Sequence, residues 1–135
     1  MGLKPSRYVK NVGTVFNLSY HLVWCPKYRR EVLVGEVEKR LEHVLLATAA
    51  QHGVLIETME VMPDHVHLFV SSDPTRSVAE IVNRLKGASS RILRQEFPHL
   101  RSRLPTLWSR SYYAGTVGHV SEARVKKYIE NQKGR

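Results

Sequence analysis

A chain of 135 residues, 42% apolar and 24% charged, has the size and composition of a single soluble globular domain, residues 1–135. Its one cysteine, Cys25, excludes an intrachain disulfide framework, and with no 18-residue apolar run and no signal-peptide pattern a cytoplasmic protein is expected, without a membrane or a nucleotide cofactor. Lys and Arg outnumber Asp and Glu by 21 to 12, a net charge of +9, which points to a polyanionic partner because each neutralised phosphate releases counterions.

Residues 1–12 carry Lys4, Arg7 and Lys10 among few apolar anchors and read as a basic, flexible arm. Residues 14–24 are rich in β-branched and aromatic types (Val15, Phe16, Tyr20, Val23) and predict a strand that Pro26 ends. Lys27, Tyr28, Arg29 and Arg30 follow as a basic loop. Val37, Leu41, Val44, Leu45 and Thr48 then recur at helical spacing, with Gly53 placed to stop the helix. Residues 54–62 and 65–71 read as two strands joined by a tight Pro63-Asp64 turn, and so as an antiparallel hairpin. Ser77 and Glu80 form a capping box for a second helix, whose apolar stripe is Val78, Ile81, Val82, Leu85, Ala88, Ile92 and Leu93. Pro98 is expected to close it. Arg84, Lys86, Arg91 and Arg94 fall mainly outside the stripe. A loop rich in Arg and Pro leads to a last strand over 107–117, and Ser121 caps a final helix from 122 to about 132.

The order strand, helix, strand, strand, helix, strand, helix suits an α+β fold. A ferredoxin-like antiparallel sheet, with two helices on one face and an added C-terminal helix, satisfies it.

Two local features carry chemistry. His65-Val66-His67 places two imidazoles on one face of a strand, about 7 Å apart along the chain, where they can converge on a divalent ion. Val66, Leu68 and Val70 point the other way, into the core. His-x-His also arises by chance, and the hairpin offers only Asp64 and Glu60 nearby as further ligands, so spacing alone does not decide. On the last helix Tyr128 and Gln132 stand one turn apart on one face, amid Arg124, Lys126, Lys127, Lys133 and Arg135. From that spacing Tyr128 reads either as a nucleophile or, more readily, as a packed ring with a wet hydroxyl.

Together the motifs resemble a family. Met62-Pro63-Asp64-His65-Val66-His67-Leu68, Arg84-Leu85-Lys86-Gly87-Ala88-Ser89-Ser90, Leu107-Trp108-Ser109-Arg110-Ser111-Tyr112-Tyr113, Thr116-Val117-Gly118 and Tyr128-Ile129-Glu130-Asn131-Gln132 follow one another as in the HUH single-tyrosine transposases of the insertion sequence 200/605 type. The resemblance runs from about Phe16 to Gln132. It implies that His65 and His67 are metal ligands with Gln132 as the third, and that Tyr128 is the catalytic tyrosine. It also implies Mg²⁺ or Mn²⁺ as the metal and single-stranded DNA with hairpins at the element ends as partner. A homodimer with active sites shared between subunits is implied too, with Gly115 and Gly118 as hinges for the exchange. Ser111 departs from the pattern, where glycine is expected before the aromatic pair.

On this reading Tyr128 attacks a phosphate and leaves a 5′-phosphotyrosine and a free 3′-hydroxyl, and the covalent bond conserves the energy for rejoining. Lys27, Arg29, Arg30, Arg84, Lys86, Arg91, Arg94 and Lys127 are candidate DNA contacts. Trp108, Tyr112 and Tyr113 either stack on bases or pack in the sheet. The rivals are a domesticated or nickase-type relative and a non-catalytic single-stranded nucleic-acid binder of the same fold. A phosphoesterase would need two His-x-Thr motifs, which are absent.

Overall fold

Strand-forming residues and helical stripes alternate along the chain as the pattern requires, and the computed structural model describes residues 9–11, 14–16, 18–116 and 122–135. Among the described residues three strands precede the first helix: β1 (Val9–Asn11), β2 (Thr14–Phe16) and β3 (Leu18–Trp24). A 3₁₀ turn at Lys27–Arg29 leads to α1 (Gly35–Gln51), which Gly53 terminates at φ +68°, a left-handed position that favours glycine. The hairpin β4 (Leu55–Met62) and β5 (His65–Ser72) follows, then α2 (Val78–Glu96), a short α3 (Pro98–Arg103), β6 (Tyr113–Thr116) and α4 (Glu122–Glu130). At the start of α2 the Ser77 hydroxyl accepts the Glu80 amide at 3.0 Å, as the capping pattern predicts.

The main sheet has the order β4-β5-β3-β6 with every pairing antiparallel. Counted from β3, this is the ferredoxin-like arrangement expected of the sequence. Leu22 and Trp24 of β3 and Val66, Leu68 and Val70 of β5 belong to one buried cluster with Leu41 and Leu45 of α1 and Val82, Leu85 and Leu93 of α2. Both long helices therefore cover one face of the sheet. Arg40 of α1 and Glu96 of α2 add a two-bond ion pair (2.7 and 2.9 Å) between them.

Within the segment read as a basic arm, Val9–Asn11 pairs with Thr14–Phe16 in a small separate hairpin, while residues 1–8 and 12 lie outside the described ones. Two expectations are corrected. Pro98 does open a new helix as well as following the old one: its fixed φ and missing N–H suit the first helical position, and α3 buries Leu100. The last strand is shorter than 107–117. Leu107 and Trp108 are buried in the core instead, with Trp108 bridging to Pro26, and regular pairing starts at Tyr113. Val117, Gly118 and Ser121, named for the strand end, a hinge and the helix cap, lie outside the described residues.

Candidate active site

The period of two along β5 sends Val66, Leu68 and Val70 into the core and leaves His65, His67 and Phe69 on the face without α1 and α2. Register then recruits neighbours. Glu60 of β4 stands opposite His67, and His21 of β3 stands opposite Phe69. The His21 ring stacks on Phe69 (centres 4.9 Å apart, planes 23° apart), and its Nδ1 lies 3.2 Å from Nε2 of His67. Burial lowers the pKa of both imidazoles, and for His67 the proximity of His21 lowers it further while Glu60 opposes. Both are therefore biased towards the neutral form that a metal ligand needs.

His65 is held differently. Its Nδ1 is 2.8 Å from Asp64 Oδ1, and Asp64 Oδ2 pairs with Arg29 Nε at 3.3 Å. Arg29 reaches this position from a strained turn, with Tyr28 at φ +59° and Arg29 at +51°. Its Nη1 donates to the Ile129 carbonyl of α4 at 3.2 Å, so one guanidinium ties the turn beneath His65 to the last helix. Between them opens a cleft of about 740 Å³ lined by His21, Glu60, His65 and His67 on one side and Val125, Lys126, Ile129 and Glu130 of α4 on the other.

Tyr128 and Gln132 do not line this cleft; successive helical residues are turned by about 100°, and these two look elsewhere. The Tyr128 hydroxyl is 3.0 Å from Ser111 Oγ, which donates to Gln132 Oε1 at 3.0 Å, and Gln132 is 4% exposed. Burial pushes the Tyr128 phenol up to about 12, with the Ser111 bond pulling the other way. Ser111 belongs to a loop gripped by Lys86, whose Nζ donates to the carbonyls of Ser109, Arg110 and Ser111 at 2.7, 3.4 and 3.2 Å. Burial pushes that ammonium down to about 8. Lys27, Ser109, Arg110, Ser111, Gln132 and Arg135 line a separate basic pocket of about 340 Å³.

The candidate DNA contacts divide by surroundings. Lys86 is committed to carbonyls, Arg94 donates to the Leu104 carbonyl at 3.0 Å, and Arg29 is tied to Asp64 and Ile129. Arg30, Arg84, Arg91 and Lys127 are exposed, and half-buried Lys27 lines the basic pocket. Arg84 and Arg91 lie on α2, across the sheet from the imidazoles. Among the aromatics, Trp108 is a core residue, edge-on to Trp24 and donating Nε1–H to Ser89 Oγ at 3.0 Å. Tyr113 stays near Tyr128, with ring centres 6.2 Å apart. Sequence reasoning missed His21, which is visible only once register sets it beside His67, and saw in Ser111 a departure rather than a partner of Tyr128.

With this geometry in place, the comparisons are direct. The family described as "Transposase IS200 like" matches residues 14–132. This chain belongs to that family. The transposase is 46% identical over 130 residues to ISDra2 transposase TnpA of Deinococcus radiodurans, covering 95% of this chain and 93% of that one. A crystal structure from Deinococcus radiodurans, assigned as a transposase, superposes with a TM-score of 0.86 at 41% identity, covering 94% of this chain and 99% of that one. A tyrosine transposase bound to a REP hairpin shares the fold at a TM-score of 0.54 and 14% identity, covering 98% of this chain and 70% of that one. Among the described residues of the transposase no helix is long and apolar enough to cross a membrane.

Proposed function

We propose that this transposase cleaves and rejoins single-stranded DNA at insertion-sequence ends, with Tyr128 as nucleophile and His65 and His67 as metal ligands. The observation that carries the reading is the gathering of His21, His65 and His67 on the open face of the sheet, in a cleft whose far wall is the helix that bears Tyr128. His65 and His67 would supply two ligands to a divalent cation, His67 biased to the neutral form and His65 with one nitrogen occupied by Asp64 and one left over. Among the described residues no three His, Cys, Asp or Glu side chains are grouped to hold one by themselves, so a further ligand such as Gln132 is required. Mg²⁺ or Mn²⁺ bound there would act as a Lewis acid on a non-bridging phosphate oxygen, and imidazole donors favour Mn²⁺.

The chain's own residues supply the rest. The Tyr128 hydroxyl loses its proton as its oxygen forms a bond to phosphorus, the bond from phosphorus to the 3′-oxygen breaks, and the leaving 3′-oxygen takes up one proton, so that no net proton is gained or lost. In the docked position of α4 both Tyr128 and Gln132 engage Ser111 rather than the imidazole cleft. Productive chemistry on this proposal therefore needs α4 to turn, or a homodimer in which the partner contributes its α4. Exposed Arg30 and Lys127 and the basic pocket at Lys27 offer charge for the strand backbone. The hairpin-bound tyrosine transposase of the same fold motivates hairpin-bearing DNA as the substrate.

The test is incubation with labelled single-stranded oligonucleotides carrying hairpins, with and without Mn²⁺, followed by denaturing gels. A covalent protein–DNA band is expected, absent from Tyr128→Phe while that variant still binds. A covalent band persisting in Tyr128→Phe would remove the nucleophile assignment. His65→Ala and His67→Ala should each abolish metal-dependent cleavage.

A further inference from the structure

We propose that His21 is a positioning residue that fixes the tautomer of His67, so that His67 meets a metal through Nδ1. The inference rests on the metal-ligand reading of His67 given above. His21 and His67 approach nitrogen to nitrogen at 3.2 Å, and their ring centres are 5.4 Å apart, so both nitrogens lie close to the line joining the two centres. Such a head-on approach is a hydrogen bond with one proton between the rings, because two lone pairs facing each other would repel.

Only two proton arrangements satisfy it for neutral rings. If His21 Nδ1–H donates, the His67 Nε2 lone pair is consumed and the one proton of His67 sits on Nδ1, so that ring has nothing left for a cation. If His67 Nε2–H donates to His21 Nδ1, the His67 Nδ1 lone pair is free. Only the second arrangement lets His67 act as a ligand without breaking the bond. It also follows the general habit of ligating histidines, which donate their second ring N–H to a fixed acceptor.

The acceptor is itself fixed. His21 stacks on Phe69 with planes 23° apart and sits in the middle of β3, paired on both sides by β5 and β6. His65 obeys the same rule with a different acceptor, donating Nδ1–H to Asp64, which Arg29 in turn holds. The two imidazoles thus present different nitrogens, Nε2 from His65 and Nδ1 from His67, each fixed by a neighbour outside the His-x-His motif.

The test separates acceptor from ring. His21→Phe keeps an aromatic ring on Phe69 and deletes the acceptor, while His21→Asn deletes the ring and puts an acceptor oxygen where Nδ1 stood. Mn²⁺ binding to the DNA-free protein, read by the loss of free-ion electron paramagnetic resonance signal, is expected to weaken about 10- to 100-fold in His21→Phe and to recover most of the way in His21→Asn. Proton–nitrogen correlation of the imidazole rings in wild-type protein is expected to show His67 protonated on Nε2. Mn²⁺ affinity in His21→Phe within twofold of wild type, or a proton on His67 Nδ1, overturns the proposal. His67→Ala distinguishes the two levels. If it too binds Mn²⁺ normally, the metal reading has failed; if it loses Mn²⁺ while folded His21→Phe does not, only the role of His21 has failed. Should His21→Phe not fold, the wild-type ring spectrum decides alone.

Discussion

Ser111→Ala removes one oxygen shared by Tyr128 of α4 and by Gln132 in the turn that follows it, and its effect follows from the direction of the bonds. Gln132 Oε1 can only accept, so the Ser111 hydroxyl donates to it, and the Ser111 lone pairs are left to accept the Tyr128 O–H. The change deletes two neutral hydrogen bonds worth about 0.5–1.5 kcal/mol each and leaves the amide oxygen of a 4%-exposed Gln132 without that partner, a total of about 2–4 kcal/mol. α4 has nine residues, too few to hold a helix by itself, so the loss falls on its docking rather than on the sheet. At about 1.4 kcal/mol per factor of ten, amide hydrogen exchange across 122–135 should accelerate about 30- to 1,000-fold. β3 and β5 should exchange as in wild type. Mass-spectrometric exchange on peptides from both regions reads the difference. Unchanged exchange in α4, or equal acceleration of the core strands, would refute the shared-oxygen argument.

The raised phenol has a pH signature. Between its ordinary value near 10 and its folded value of about 12 the unfolded chain has lost a proton that the folded chain retains, so stability falls over that window, and Tyr128→Phe should remove part of the fall in urea titrations. Lys86 gives the opposite sign: held down at about 8, it binds its proton more weakly in the folded chain, so stability contributed by this group rises from about pH 8 to pH 10.5. Lys86→Met should flatten that rise. Tyr28→Gly relieves a left-handed residue that is 40% exposed and should stabilise the protein by up to about 1 kcal/mol; a loss of more than that in thermal melts would deny the strain.

The sheet and both long helices were legible because their patterns have clean periods. Ser77 caps α2 as its spacing says, and Val66, Leu68 and Val70 are buried while His65 and His67 face the cleft. Errors arose where a residue serves two local rules. Pro98 ends one helix and starts another, and Trp108 has strand propensity but fills the core beside Trp24. The arrangement of the candidate site was legible in part. His65 and His67 stand on one strand and announce themselves, whereas His21 is 46 residues away in sequence from His67 and meets it only through the register of β3 on β5. Lys86 and Arg94 read as surface cations because a helical wheel shows which side is apolar and not what loop crosses the other side. The relation of Tyr128 to the imidazoles was not legible at all, since nothing in the i, i+4 spacing of Tyr128 and Gln132 says which way α4 is rolled.

The division of labour across the sheet has a bearing on how such a chain tolerates damage. Nearly all the cohesion lies under α1 and α2, whereas the opposite face carries polar rings whose loss opens no cavity in the main core. Substitutions at His65 or His67 should therefore leave a well-folded protein rather than an aggregate, and on the proposed function an inactive one. An inactivated copy of this kind would persist in the cell and compete with intact copies for whatever that positively charged surface binds.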